Sequence, residues 1–135
     1  MEKLVNEFLK KENIFAVIGV SRDSNKYGHI VYFTLKKYGY RVFAVNPKID
    51  KVEGDRVYPN LSVLPNKPDI VDFVVPPKIG LDVVKEAKKL GITRIWLQPG
   101  SESKEIIDYC KKNNMKVLHN ICVMIEAANF LDTSN

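Results

Sequence analysis

Ile14-Phe-Ala-Val-Ile-Gly-Val-Ser-Arg-Asp-Ser-Asn-Lys-Tyr-Gly28 decides how the rest of the chain is read. The apolar run Ile14 to Ile18 breaks at Gly19 into small polar and basic residues, and apolar periodicity resumes at Ile30. That order predicts strand, tight turn and helix. Gly19 permits a sharp bend and close approach to the backbone, and the unpaired N–H groups at a helix start carry partial positive charge. Such a turn suits an anionic group. The full G-x-G-x-x-G pattern is absent, because Ser21 and Ser24 stand where its second and third glycines would be. Arg22 and Lys26 add to the case for an anion, since a guanidinium and an ammonium beside exposed amides suit a polyphosphate.

Downstream, Ile30, Val31, Phe33, Thr34, Leu35 and Tyr38 predict a largely apolar helix stopped by Gly39, and Arg41 to Val45 a buried strand ended by Asn46-Pro47. Together these form one βαβ unit with a right-handed crossover. In nicotinamide-dinucleotide proteins an acid near the end of the second strand accepts hydrogen bonds from the ribose 2′-hydroxyl. Asn46, Pro47 and Lys48 occupy that place here, which argues against NAD. Lys48 either meets a phosphate near an adenosine or is a solvated loop lysine.

Upstream, Leu4, Val5, Phe8 and Leu9 recur at helical spacing. Residues 49–68 read as a connection over one sheet edge, with a brief extended piece at Val57 to Pro59 and one helical turn at Leu61 to Leu64. Asp69 to Val75 is the third buried strand, ended by Pro76-Pro77. The helix from Ile79 to Leu90 places Leu81, Val84, Ala87 and Lys88 near one face and closes at Gly91. Thr93 to Leu97 is the fourth strand, followed by the turn Gln98-Pro99-Gly100 and a helix capped by Ser101 or Ser103 that includes Ile106, Ile107 and Cys110. Met115 to His119 is the fifth strand. A closing helix covers about Val123 to Leu131, with fraying over the last four residues.

Strands alternating with helices predict an α/β, Rossmann-like doubly wound fold: a five-stranded parallel sheet in the order 3-2-1-4-5, covered by helices on both faces. Its crevice opens at the carboxyl ends of the strands, between the first and fourth. Every unusual segment follows a strand's carboxyl end: Gly19–Gly28, Asn46-Pro47, Val75-Pro76-Pro77, Gln98-Pro99-Gly100 and His119-Asn120-Ile121-Cys122. Their convergence predicts a single site.

A length of 135 residues fits one domain spanning 1–135. Apolar residues make up 45% and charged residues 27%, the globular balance, and no apolar run is long enough for a bilayer. The amino-terminal segment is interrupted by acids and lacks a signal peptide's apolar centre, so the cytoplasm is the expectation. The net charge of +5 comes with lysine pairs near helix ends, which complement the helix dipole and lack the interleaved aromatics of a nucleic-acid surface. Cys110 and Cys122 have no metal-ligand spacing and are expected as thiols. Association into a homodimer is left open.

The runs Val17-Ile-Gly-Val-Ser-Arg-Asp23 and Lys26-Tyr-Gly28, then Val45-Asn-Pro-Lys48, Val75-Pro-Pro77 and Trp96-Leu-Gln-Pro-Gly100, resemble the small stand-alone CoA-binding domain proteins. These are relatives of the CoA-binding domain of the succinyl-CoA synthetase alpha subunit. The likeness spans roughly Ile14 to Ala127. It implies that coenzyme A is the ligand. By likeness Gly19, Val20, Ser21 and Arg22 would meet phosphate oxygens, with Lys26 and Tyr27 closing over them and Gly28 part of the same binding segment. Asn46, Pro47 and Lys48 would border the adenosine, Val75, Pro76 and Pro77 would wall the adenine or ribose, and Gln98, Pro99 and Gly100 would lie toward the pantetheine. Asn120 and Cys122 would lie near the thiol end, where family members often carry an acidic and basic pair that this chain lacks.

No catalytic residue and no metal site is expected. Gly19-Val-Ser-Arg-Asp23 fails the G-x-S-x-G elbow at its last position, and His29 and His119 read as structural or solvated more readily than as phosphate acceptors. A ligase would need a nucleotide-grasping partner domain beyond these elements. The expected function is therefore a non-catalytic carrier, sensor or regulatory module for CoA or acyl-CoA. The alternatives are a small nicotinamide-dependent oxidoreductase and a redox-linked interaction domain using Cys122.

Overall fold

A computed structural model describes residues 1–134 of the protein. Five α-helices, α1 (Glu2–Phe8), α2 (Tyr27–Lys37), α3 (Pro77–Lys89), α4 (Lys104–Lys112) and α5 (Val123–Ser134), cover a seven-stranded sheet. Its strands are β1 (Ile14–Ile18), β2 (Arg41–Val45), β3 (Lys51–Val52), β4 (Asp55–Tyr58), β5 (Ile70–Phe73), β6 (Arg94–Leu97) and β7 (Lys116–Leu118), in the spatial order β3-β4-β2-β1-β5-β6-β7.

This corrects the expected five strands in the order 3-2-1-4-5. The strand at Ile70–Phe73 pairs with β1, through Phe15↔Ile70 to Ile18↔Phe73, instead of lying outside β2. Its four residues are all buried, the pattern of a central strand covered on both faces. The seat outside β2 is taken by β4, in register Ala44↔Val57 and Val45↔Tyr58. β4 belongs to an antiparallel hairpin with β3, the one departure from parallel pairing, whose turn residues Glu53 and Gly54 have φ of 47° and 86°. The winding therefore reverses between β1 and β5, and the crevice lies there rather than beside Thr93–Leu97.

Alternation along β1 separates two cores. Phe15 and Val17 face α1, α2 and α5 with Phe8, Leu35, Trp96 and Val123, while Ala16 and Ile18 face α3 and α4 with Phe73, Val84, Ile95, Ile106 and Cys110. α1 is anchored by Asn13, whose amide donates to the carbonyls of Glu7 and Phe8, and by Tyr40, whose hydroxyl donates to Leu9 O at 2.6 Å. Ser103 is the cap of α4, accepting from Ile106 N; Ser101 is buried and accepts from Val75 N. Leu61–Val63 forms the expected single turn. α5 runs through Ser134, three residues beyond the expected end at Leu131, and Asn135 lies outside the described residues. No helix among the described residues is long and apolar enough to cross a membrane.

Candidate ligand-binding site

The turn after β1 is built on two backbone-to-backbone contacts. Gly19 has φ +99°, and a Cβ there would lie 2.4 Å from the carbonyl oxygen of Val74 and 2.7 Å from Val75 Cγ1. A Cβ on Gly28 would lie 2.0 Å from Gly19 O, so the first turn of α2 rests directly on the loop. Gly28 thus gives the close helix–strand packing that the third glycine of a dinucleotide fingerprint supplies. The loop between is closed by its own side chains: Asp23 N donates to Ser21 Oγ and Asn25 N to Asp23 Oδ1. Asn46 ties the end of β2 to this turn, its Nδ2 donating to Val20 O at 2.8 Å while its Oδ1 accepts from Lys48 N.

His29 supports the turn from behind. Its Nδ1 faces Ser21 O at 2.8 Å and its Nε2 faces Glu53 Oε2 at 2.7 Å, which links the loop to the β3–β4 hairpin. Arg22 and Lys26 project from the turn as exposed cations, with Lys26 at the N-cap of α2.

Beside the turn lies a cleft of about 260 Å³. Gly19, Asn46, Pro47, Lys48 and Val75 line it, five of the residues singled out in the sequence. Ile18 and Val45 floor it from the strand ends, and Pro59 and Asn60 close one side. The opposite wall is the α3 face bearing Ile79, Val83 and Glu86. That face was missed because the inner face of α3 was read from its apolar stripe alone. The signal available is the i, i+4, i+7 spacing of these three residues, with Ile79 left 52% exposed at the cleft. Pro76 and Pro77 do not line the cleft; they are the N-cap and first residue of α3 and so aim its wall.

Farther along the rim, the strand ends are closed by a hydrogen-bonded chain. Gln98, fully buried, donates from Nε2 to Asp72 Oδ1 at 2.6 Å and accepts at Oε1 from Val123 N at 3.1 Å and Tyr27 Oη at 3.3 Å. The Tyr27 hydroxyl also lies 2.8 Å from Cys122 Sγ. Tyr27 therefore turns inward, where the resemblance had it closing over phosphates. Burial raises its hydroxyl well above the ordinary phenol range, and the neighbouring Cys122 adds to this. Asp72 is fully buried and its Oδ2 has no partner among the described residues; burial pushes its carboxyl up to about 7, partly offset by Gln98.

Trp96 Nε1 donates to Ile121 O at 3.0 Å, fixing the loop that carries Cys122. Pro99 and Gly100 form an exposed turn, Gly100 N donating to Glu102, and Asn120 is exposed with φ 65°. Cys110 is core, its thiol pushed up to about 11 by burial. No group of three His, Cys, Asp or Glu side chains among the described residues is arranged to hold a metal ion.

A glycine turn bearing two exposed cations, an adjoining apolar cleft and the strand-end position of both are features of a nucleotide-type binding domain. Residues 13–128 match the family model described as CoA binding domain. The chain belongs to the CoA-binding domain family. Among its relatives is the alpha subunit of ADP-forming acetate–CoA ligase II from Pyrococcus furiosus, 29% identical over 121 residues. That match covers 82% of this chain and 26% of the ligase subunit, so this chain spans about a quarter of that protein. Two solved structures are covered almost end to end. A conserved hypothetical protein from Pyrococcus furiosus is 39% identical with a TM-score of 0.81, covering 84% of this chain and 98% of that one. A hypothetical protein from Pyrococcus horikoshii is 30% identical with a TM-score of 0.89, covering 97% and 92%. The CoA-binding domain thus occurs in chains of about this size and as one part of a larger ligase subunit.

Proposed function

We propose that this CoA-binding domain holds CoA or an acyl-CoA without turning it over, as a cytoplasmic carrier, sensor or regulatory module. The observation that carries the reading is the cleft lined by Gly19, Asn46, Pro47, Lys48 and Val75 next to a turn bearing Arg22 and Lys26. Its apolar walls suit an adenosine, and the exposed cations suit the phosphates that follow. The 3′-phosphate of CoA would meet Lys48, where a nicotinamide-dinucleotide site would place an acid. The chain from Asp72 to Cys122 supports a passive role, because Gln98, Tyr27 and Cys122 are bonded to one another and the Asp72 carboxyl is fully buried, away from a ligand in the cleft.

Calorimetric titration of the purified chain with CoA, NAD, NADP and ATP tests this. CoA is expected to bind most tightly, with Arg22→Ala and Lys26→Ala each weakening it by about 1–3 kcal/mol. Binding of NAD with CoA silent would overturn the reading, and turnover of a nicotinamide substrate would overturn the non-catalytic part of it.

A further inference from the structure

Glu86 is the one carboxylate in a cleft that otherwise offers apolar walls, two asparagines and a lysine. It sits on α3 seven residues beyond Ile79, about 10 Å along the helix axis at 1.5 Å per residue. Its placement is fixed: Ser62 Oγ donates to Glu86 Oε2 at 2.8 Å, which ties α3 to the turn Leu61–Val63 and leaves Oε1 without a hydrogen bond among the described residues. Asn60, the residue before that turn, also lines the cleft and its side-chain amide makes no hydrogen bond within the described residues.

A carboxylate here repels phosphate, so a nucleotide cannot place its phosphates at this end. They belong with Lys48 and the turn at Gly19. What a half-buried, pre-oriented carboxylate oxygen accepts is an N–H or O–H donor, and the part of a nucleotide distal to its phosphates is the base. The faces of a purine are apolar enough for Ile79 and Val83, and its edge supplies the polar group. We infer that Glu86 selects the base, its free Oε1 accepting from the 6-amino group of adenine while disfavouring purines that carry a 6-oxo group. This rests on the CoA reading above and adds the base preference to it. A 6-oxo purine turns a lone pair toward the carboxylate and carries its nearest donor one ring atom away at N1–H, so the base must shift within the cleft to be bonded. The penalty is the loss of the charge-assisted hydrogen bond made in the adenine pose.

The test is calorimetric titration of the intact chain with CoA and with its hypoxanthine counterpart, in which the 6-amino group is replaced by a 6-oxo group. The wild type is expected to bind CoA about tenfold more tightly. In Glu86→Gln, whose amide accepts from an amine or donates to an oxo group, the preference should fall below about threefold. Equal affinity of the wild type for the two ligands would overturn the inference and leave CoA binding intact. So would a Glu86→Gln loss shared equally by both ligands, which is the signature of a carboxylate holding the ribose. A wild type that binds neither ligand would overturn the proposed function, and this inference with it.

Discussion

The carboxyl ends of β1 and β2 and those of β5 and β6 belong to one sheet rim, yet they dispose of their polar groups in opposite ways. At β1 and β2 the chain leaves room: Asn46 uses its side chain to brace the turn, and the space beside it stays open between strand ends and α3. At β5 and β6 the chain fills the room: Gln98 bonds Asp72, Val123 N and Tyr27, and Tyr27 in turn meets Cys122. Residue type does not separate the two, since both contain polar residues following apolar strands. What separates them is whether a partner arrives from another part of the same chain. α5 and the start of α2 deliver such partners to one end, whereas α3 presents only a wall to the other.

Substitutions at the two ends should therefore divide between stability and affinity. The largest effect is expected where the open end is founded. Gly28→Ala places a methyl 2.0 Å from a backbone carbonyl that cannot step aside, so the cost should exceed about 4 kcal/mol in urea denaturation. Next is Asp72 at the closed end. Its carboxyl titrates near 7 in the folded protein and near 4 when unfolded, so the folded state holds the extra proton between those values. Stability contributed below pH 4 is then lost as the pH rises through about 7, by roughly 2–4 kcal/mol. Asp72→Asn, which mimics the protonated acid, should flatten that slope and be the more stable form at pH 8, as measured by denaturation across pH.

Tyr27→Phe removes the hydroxyl shared by Gln98 and Cys122 and should cost about 1 kcal/mol of stability while CoA affinity stays within about twofold. Lys48→Ala should do the reverse, lowering CoA affinity about fivefold with stability changed by less than about 0.5 kcal/mol. If Tyr27→Phe weakened CoA binding more than Lys48→Ala did, the division between an open and a closed end would be wrong.

Much of the open end was legible because its signals are local. The break at Gly19, the Asn46-Pro47-Lys48 segment and Val75 each follow an apolar strand within a few residues, and all line the cleft. The closed end was not legible as such, because Tyr27 and Gln98 meet across 71 positions of sequence and nothing near either residue announces the other. Gln98, Tyr27 and Cys122 could be placed at strand ends but not told apart from ligand-facing residues. The strand order failed for a similar reason. β4 has only four residues, two of them the charged Asp55 and Arg56, and its claim to the seat beside β2 comes from the hairpin at Glu53-Gly54. The wall of Ile79, Val83 and Glu86 was hidden by the fully buried stripe that adjoins it on the same helix.

Mapping amide chemical-shift changes on the nitrogen-15 labelled chain during titration with CoA tests the open end most directly. The largest changes should fall on Gly19, Ser21, Asn46, Lys48, Val75 and Ile79, with Gln98 and Val123 changing little. Changes concentrated at Gln98, Cys122 and Val123 instead, with the cleft residues unmoved, would contradict the account.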